Sequence, residues 1–438
     1  MTLPILIIGL AFLSIGLIKM TKDLRWGFYF LMVANFISVG MSRYIPLPLG
    51  LSIDFILILV FVILFLKEFR NLDWSAIRNP TFFLVSCWFV FNLFQLLNPE
   101  SNSFIAWFYA MRGTALYFLL TMLIAYMILK DRDIIWFINF WFSLSIIAAL
   151  WGIKQHFIGL DWAEKSWLSV PGNYSTHLLH GKLRVFSFFS DAGQFGAAQA
   201  HTGIVALVLG VLEKRSKRKV FYFFTMAISF YAMLLSGTRG AFAVPFIGGL
   251  TYLLLSKNFK TFAIGGILIT IVFIVLKFTF IGQSNYQVQR LRSALDPNDA
   301  SFQVRLENQK KLGVYLQTHP FGGGVGSGGY WGQRFSPDSF LANLALDSWY
   351  VRIAAEYGYV GLIFYLALLI IILLQALKRI RNTKSIAHKN KLYALFAGFC
   401  GILFASYGNQ VLGQMPTGIL VYLSIFFLTN KPSNASTQ

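Results

Sequence analysis

Long apolar runs, separated by short polar segments, recur along almost the whole chain. Runs of about 18 or more apolar residues are typical of membrane-spanning helices, because lipid offers the backbone amides no partner outside a helix. The pattern predicts an all-α integral membrane protein, a polytopic helical bundle of about 12 to 13 spans. The predicted spans lie near residues 2–18, 26–42, 50–66, 80–97, 107–129, 134–153, 192–212, 220–236, 240–256, 261–280, 354–377, 392–409 and 413–430.

The apolar run at the start of the chain has no basic segment in front of it. A cleaved signal peptide usually begins with such a segment. We therefore interpret residues 2–18 as a span that is retained in the protein.

The charge distribution orients the predicted bundle. The chain carries 37 Lys and Arg against 17 Asp and Glu, a formal net charge of +20. Alternation of the spans places the basic clusters at 19–25, 67–70, 214–219 and 378–384 on one face, and an excess of Lys and Arg marks the cytoplasmic face. The basic balance therefore indicates topology, and we expect no nucleic-acid partner.

Two long polar segments face the opposite, outer side of the predicted bundle. Ordered loops of this length are usually functional. The predicted division of the chain is N-terminal membrane helices at 1–153, a first outer segment at 154–191, central membrane helices at 192–280, a large outer loop with short helices at 281–353, and C-terminal membrane helices with a cytoplasmic tail at 354–438.

Four arginines stand at or near the outer ends of predicted spans. An arginine at this depth is costly unless it is paired or binds a ligand. Arg112 lies in the fifth span, Arg184 shortly before the seventh, Arg239 in the turn after the eighth, and Arg305 in the large outer loop. Several guanidinium groups on one face favour an anion site, because a diphosphate needs more than one positive partner.

Arg239 lies in a short turn between Gly237 and Gly240, which permit close approach of the backbone. A guanidinium in this turn is suited to a phosphate or a carboxylate. The alternative is an arginine that reaches lipid headgroups or pairs with a carboxylate of the protein. From the residues alone both interpretations stand.

Asp347 stands at the outer entrance of the eleventh span, close in sequence to Arg352 and Glu356. A carboxylate in this place can act as a general base toward an attacking hydroxyl. The alternative role is a helix N-cap, because an Asp–Ser pair before a helix satisfies its first amides. The two roles are compatible, and both remain open.

Three other features predict neither a metal nor a cofactor. The glycine-rich run 322–329 lacks the Lys-Ser/Thr ending of a P-loop and is expected to be a flexible or tightly turning loop. His177 and His180 have a spacing that suits a metal on a helix, but nearby proline and glycine disfavour a helix and no third ligand is evident. Cys87 and Cys400 fall inside apolar spans, so no disulfide framework or Cys-based metal site is expected.

Four segments of the outer side follow one another in a distinctive order. They are RVFSFF at 184–189, SGTRGA at 236–241, Arg305 followed by HPFGGG at 319–324, and DSWY at 347–350 followed by EYGYVG at 356–361. In order, spacing and sidedness they resemble the O-antigen ligase and polymerase superfamily of bacterial membrane glycosyltransferases, over about residues 105–375.

The resemblance implies a GT-C-like bundle and an inverting, metal-independent glycosyltransferase whose donor is a glycan on undecaprenyl diphosphate. It implies that Arg239 and Arg305, together with Arg184, hold the diphosphate and stabilise its developing charge. Asp347 is the residue expected to orient or deprotonate the acceptor hydroxyl. The further contacts expected with the diphosphate or the glycan are Arg112, Ser236 and Tyr350.

One departure from the family pattern bears on the reaction. O-antigen ligases typically carry His-Asn where this chain has Asp347-Ser348. The departure favours a polymerase of O-antigen or exopolysaccharide. The resemblance implies that the protein lies in the bacterial inner membrane, with its active site on the periplasmic side. The expected partners are the lipid-linked glycan donor, a glycan or lipid A-core acceptor and membrane lipid, with a flippase and a chain-length regulator as candidate protein partners.

Two alternatives remain. One is an O-antigen ligase that transfers glycan to lipid A-core. The other, of a different class, is a transporter or flippase of lipid-linked sugar. Transporters often contain inverted repeats and charged or broken helices at the midplane. The sequence has no visible internal repeat and its notable arginines lie toward one face, which favours an enzyme.

Overall fold

The computed structural model describes residues 14–45, 49–68, 78–101, 103–179 and 181–430. Within these ranges the chain is helical except for its connections and one two-residue hairpin, Leu178–Leu179 paired with Lys182–Leu183. In chain order the helices are α1 (Trp26–Met41), α2 (Leu51–Glu68), α3 (Pro80–Phe94), α4 (Phe104–Met111), α5 (Tyr117–Ile128), α6 (Ile134–Phe157), α7 (Trp162–Leu168), α8 (Pro171–His177), α9 (Ala192–Leu212), α10 (Ser216–Leu235), α11 (Arg239–Ser256), α12 (Phe259–Phe278), α13 (Tyr286–Ser293), α14 (Ala300–Thr318), α15 (Gly329–Phe335), α16 (Trp349–Asn382), α17 (Ile386–Ala405) and α18 (Thr417–Thr429).

The predicted all-α membrane fold is confirmed. Eight helices among the described residues are long and apolar enough to cross a membrane: Pro80–Leu97, Phe104–Ile128, Asp131–Phe157, Ala192–Leu212, Ser216–Leu235, Arg239–Ser256, Phe259–Phe278 and Trp349–Asn382. Helices α2 and α17 occupy two further predicted spans, and α1 and α18 are shorter apolar helices. The predicted span 2–18 lies mostly outside the described residues, so the total of thirteen stays a prediction.

Helix α9 forms the centre of the bundle. In its most apolar window 83% of the residues are buried, against 6% for α12. Glycine and alanine recur along α9, and such small side chains let neighbouring membrane helices approach closely. Helices α10, α11 and α17 pack around it, whereas α12 lies at the edge with its apolar side chains exposed. The N-terminal end of α9 is therefore a fixed support for the connections that lie on it.

Helix α16 is interrupted at Gly358, whose φ of +69° is not helical. The glycine-rich run 322–329 packs against this break, since the amide of Gly323 donates to the carbonyl of Ala355 at 2.9 Å. A Cβ on Gly358 would lie 1.9 Å from the carbonyl oxygen of Pro320. The run thus forms tight turns against α16, and both sides of the contact require glycine.

We expect Gly358→Ala to destabilise the protein by on the order of 3 kcal/mol, because a side chain is strained at positive φ and has no space beside Pro320. Thermal unfolding in detergent measures the effect. Gly313→Ala is the matched control: Gly313 lies within α14 and a Cβ there meets nothing within 4 Å. This control should stabilise the protein by up to about 1 kcal/mol. Equal melting temperatures for the two variants would contradict the strain argument.

Candidate active site

The turn between α10 and α11 is fixed from two sides. Thr238 donates its hydroxyl to the carbonyl of Ala192, the first residue of α9, at 2.8 Å. On the other side Gly240 lies against Asn409, and a Cβ at Gly240 would be 2.1 Å from Asn409 Nδ2. The close backbone approach expected of Gly240 is therefore present. Arg239, the first residue of α11, is held in a defined place by this turn.

Three arginines surround this turn. Arg184 donates from Nε to the carbonyl of Ser236 at 3.3 Å and from Nη2 to Thr238 Oγ1 at 3.0 Å. Arg290, on α13, donates from Nε to the carbonyl of Gly237 at 3.2 Å. Together with Arg239 they form what we call the arginine cluster: Arg184, Arg239 and Arg290.

The arginine cluster has an excess of positive charge. Arg239 forms an ion pair with Asp299. Neither Arg184 nor Arg290 has a carboxylate within ion-pairing distance in the described part of the chain. Burial lowers the pKa of Arg184, and the nearby charge of Arg290 lowers that pKa further. Burial likewise lowers the pKa of Arg290, with a further lowering from Arg239. An anion placed among the three would relieve this repulsion.

Helix α13 also brings a phenol to the cluster. The hydroxyl of Tyr286 is buried and has no hydrogen-bond partner within the described residues, and its ring lies beside Gly237. Arg292 anchors α13 to the end of α12 by donating to the carbonyls of Thr279 and Ile281. An unpartnered buried hydroxyl on a ring beside this turn is a further donor for an anion.

Arg305 and Asp347 form a second group. Arg305 Nε donates to Asp347 Oδ2 at 3.1 Å, and the Asp347 side chain is 54% exposed. The N-cap of α16 is Ser348, whose Oγ accepts from the amide of Val351 at 3.4 Å. The carboxylate of Asp347 is therefore not the cap, and it remains available for a reacting hydroxyl.

The arginine cluster and the Arg305–Asp347 pair are connected by α14. Asp299, the partner of Arg239, directly precedes α14 and accepts from the amide of Phe302 at 3.1 Å. Arg305 lies six residues further on, a rise of roughly 9 Å along a helix. A diphosphate-sized ligand with an attached sugar spans such a distance.

Residues 224–366, about a third of the chain, match the family model described as O-antigen ligase. We call residues 224–366 the O-antigen ligase domain after the family model that they match. It contains Arg239, Arg290, Arg305 and Asp347, and it leaves out Arg184. The resemblance to the O-antigen ligase and polymerase superfamily is thus confirmed. No curated protein sequence matches the chain with significance.

Arg112 lies outside the O-antigen ligase domain and away from the cluster. Its Nε donates to Asp54 Oδ1 at 2.9 Å, and its Nη2 donates to the hydroxyl of Tyr117 at 2.7 Å. The residue begins a π-helical turn, Arg112–Leu116, between α4 and α5. In this structure its charge is matched by Asp54 on α2. The described contacts of Arg112 therefore join helices.

Ser236 and Tyr350 direct their hydroxyls toward the backbone. Ser236 Oγ donates to the carbonyl of Met233 at 2.6 Å and helps to shape the turn. Tyr350 donates to the carbonyl of Leu403 at 2.7 Å, which ties α16 to α17. Both residues thus lie beside the predicted site and support it, and neither hydroxyl points to the Arg305–Asp347 pair.

His177 takes part in a local network. Its Nδ1 contacts the carbonyl of Asn173 at 2.9 Å and its Nε2 accepts from the amide of Ala192 at 3.3 Å. Burial lowers the pKa of His177. His180 lies outside the described residues. Among the residues that are described, no three His, Cys, Asp or Glu side chains are grouped as a metal would require.

Proposed function

We propose that the protein transfers a glycan from undecaprenyl diphosphate to an acceptor hydroxyl, on the periplasmic face of the bacterial inner membrane. The observation that supports this most is the arginine cluster next to the Arg305–Asp347 pair, both at the loop end of a membrane bundle. A lipid-linked diphosphate combines an apolar tail for the bilayer with an anion for the cluster. The O-antigen ligase domain carries most of these residues.

The reaction that fits this geometry is an inverting displacement. Arg239, Arg290 and Arg184 bind the diphosphate and stabilise the charge that develops on it as the bond from the anomeric carbon to oxygen breaks. Asp347 accepts the proton of the acceptor hydroxyl. The oxygen of that hydroxyl attacks the anomeric carbon of the donor sugar from the face opposite the diphosphate. The electron pair leaves with the diphosphate. Arg305 orients the carboxylate of Asp347 through its hydrogen bond to Oδ2.

Within this class we favour a polymerase of surface polysaccharide. The support is Asp347-Ser348, which stands where O-antigen ligases typically carry His-Asn. The ligase alternative differs only in its acceptor, lipid A-core. A transporter has no need of a carboxylate held beside a guanidinium at an exposed site, so the Arg305–Asp347 pair favours transfer over transport.

The purified protein, supplied with undecaprenyl-diphosphate-linked repeat units and no ATP, tests the proposal. Products that lengthen by whole repeats would support the polymerase. Transfer only after addition of lipid A-core would replace it with the ligase. No transfer in either mixture, with movement of the lipid-linked sugar across proteoliposomes, would overturn the transferase in favour of the transporter.

Arg290 offers a separate prediction about donor binding. We expect Arg290→Gln to raise the KM for the donor by roughly 10- to 100-fold, because one charge-assisted hydrogen bond to phosphate is lost. Initial rates at varied donor concentration measure it. Lys311→Gln, which removes an exposed positive charge from α14, is the matched control and should leave KM unchanged. Equal KM values in wild type and Arg290→Gln would remove Arg290 from the donor site.

A further inference from the structure

A cavity of about 230 Å³ is lined in part by Trp349, two residues after Asp347, and no step of the proposed reaction uses it. The residues of its lining that matter here are Tyr109, Trp331, Trp349, Arg352, Gln410 and Gln414. They come from α4, α15, the start of α16 and the connection between α17 and α18. Pockets for drug-sized ligands usually measure roughly 300–1,000 Å³. The cavity is therefore of a size for one small ring.

The cavity and the arginine cluster lie on two sides of one connection. Asn409 packs against Gly240, next to Arg239, while the neighbouring Gln410 accepts from Arg352 Nη1 at 3.2 Å. Trp349 follows Asp347 by two residues, so their Cα atoms are at most roughly 7.6 Å apart. The wall of the cavity is therefore within reach of Asp347 through Trp349, and it borders the same connection as the arginine cluster.

The wall of the cavity is aromatic. The rings of Tyr109 and Trp331 stack with centroids 4.5 Å apart and an interplanar angle of 10°. Trp349 is almost fully buried and is held by a hydrogen bond from its Nε1 to the hydroxyl of Tyr365 at 3.1 Å. Rigid ring surfaces of this kind offer apolar area to the C–H face of a pyranose.

The polar side of the cavity carries no net charge. Arg352 Nε donates to Glu356 Oε1 at 3.0 Å, and Glu356 is fully buried. The charge of the Arg352 guanidinium is thus balanced by Glu356. Arg352 Nη2 and the side-chain amide of Gln414 make no hydrogen bond to another described residue. A carboxylate ligand would gain no net attraction here and would lie near a buried anion. Neutral hydroxyl groups suit the remaining donors and acceptors.

We propose that this cavity binds one neutral pyranose of the acceptor glycan, the sugar whose hydroxyl faces Asp347. The assignment to the acceptor rests on the proposed function, because it is the acceptor hydroxyl that must contact the carboxylate. The apolar face of the ring packs on Trp331, and Arg352 and Gln414 donate to its hydroxyls. An acidic sugar is excluded from this position.

Saturation-transfer NMR on the protein in detergent micelles tests the subsite without requiring turnover. The probes are methyl glycosides of neutral hexoses and methyl glucuronide. We expect saturation of ring protons for at least one neutral glycoside and none for the glucuronide. Trp331→Ala should weaken that binding by roughly five-fold or more, the loss of a ring contact worth about 1 kcal/mol.

The control variant is Trp162→Ala, because Trp162 is 61% exposed at the start of α7 and does not line the cavity. It should bind as the wild type does. Trp331→Phe keeps a ring and should retain most of the binding, which separates loss of the aromatic wall from misfolding. Unchanged binding in Trp331→Ala, or glucuronide binding equal to that of the neutral glycosides, would overturn the subsite.

Transfer assays on the same variants separate this proposal from the proposed function. A wild type that transfers glycan, with an unchanged acceptor KM in Trp331→Ala, overturns the subsite alone. A wild type that binds neutral glycosides through Trp331 but transfers no glycan overturns the transferase alone and leaves a sugar-binding cavity.

Discussion

Replacing Arg239 by alanine is expected to lower glycan transfer by roughly 10²- to 10³-fold, the usual cost of removing one preorganised donor from a developing negative charge. Arg239 is the member of the arginine cluster that begins a helix, and its turn is fixed by Thr238 and Gly240. Little reorganisation is therefore needed to stabilise the leaving diphosphate. The ratio kcat/KM for the lipid-linked donor measures the effect.

The ion pair between Arg239 and Asp299 provides the discriminating control. If Arg239 serves phosphate, Asp299→Asn frees the guanidinium for the donor, and transfer should be retained. If the pair only holds α14 to α11, Asp299→Asn should be as damaging as Arg239→Ala. Lys310→Ala removes an exposed positive charge from α14 and accounts for general electrostatic attraction of the donor. Equal losses in Arg239→Ala and Asp299→Asn would rule out the diphosphate role.

The bundle is the part of the fold that the sequence predicts well. The expected span 192–212 coincides with α9, and 240–256 differs from α11 by one residue. Hydropathy determines where these membrane helices begin and end, because backbone amides and carbonyls cannot remain without hydrogen bonds in lipid. The short helices of the outer loop, by contrast, depend on contacts with other segments. Arg292, for example, holds α13 through carbonyls at the end of α12, and no local pattern reveals such a contact.

The sequence proposes residues for the candidate site but does not reveal how they are grouped. Resemblance singled out Arg239, Arg305 and Asp347, but the sequence does not reveal that Arg305 contacts Asp347 while Arg239 contacts Asp299. Sequence reasoning does not single out Arg290, because the residue lies in the predicted outer loop among several basic residues with no motif around it. The placement of Arg112 beside an aspartate of α2 was also not predictable, since its partner lies 58 positions away in the chain.

The cap of α16 shows how a structure separates two roles that a sequence leaves open. Either Asp347 or Ser348 satisfies the rule for an N-cap, because both residue types accept from the first free amides. In the structure Ser348 accepts from Val351, and Asp347 turns to Arg305. Removal of the cap and removal of the carboxylate are therefore separate experiments on adjacent residues.

Asp347→Asn is expected to reduce transfer by roughly 10²- to 10⁴-fold, the contribution that general-base catalysis usually makes. Asparagine keeps the size of the side chain but cannot take the proton of the acceptor hydroxyl. The melting temperature should stay unchanged, because the side chain is exposed and does not cap α16.

Ser348→Ala gives the opposite pattern and completes the test. Loss of the N-cap should cost about 1 kcal/mol of stability while transfer persists, since Asp347 and Arg305 remain in place. Full activity in Asp347→Asn would exclude the base. Loss of activity in both variants, with equal losses of stability, would show that the start of α16 matters only as a structural element. Loss of transfer confined to Asp347→Asn would assign proton transfer to this carboxylate, which Arg305 holds two residues before the aromatic cavity's Trp349.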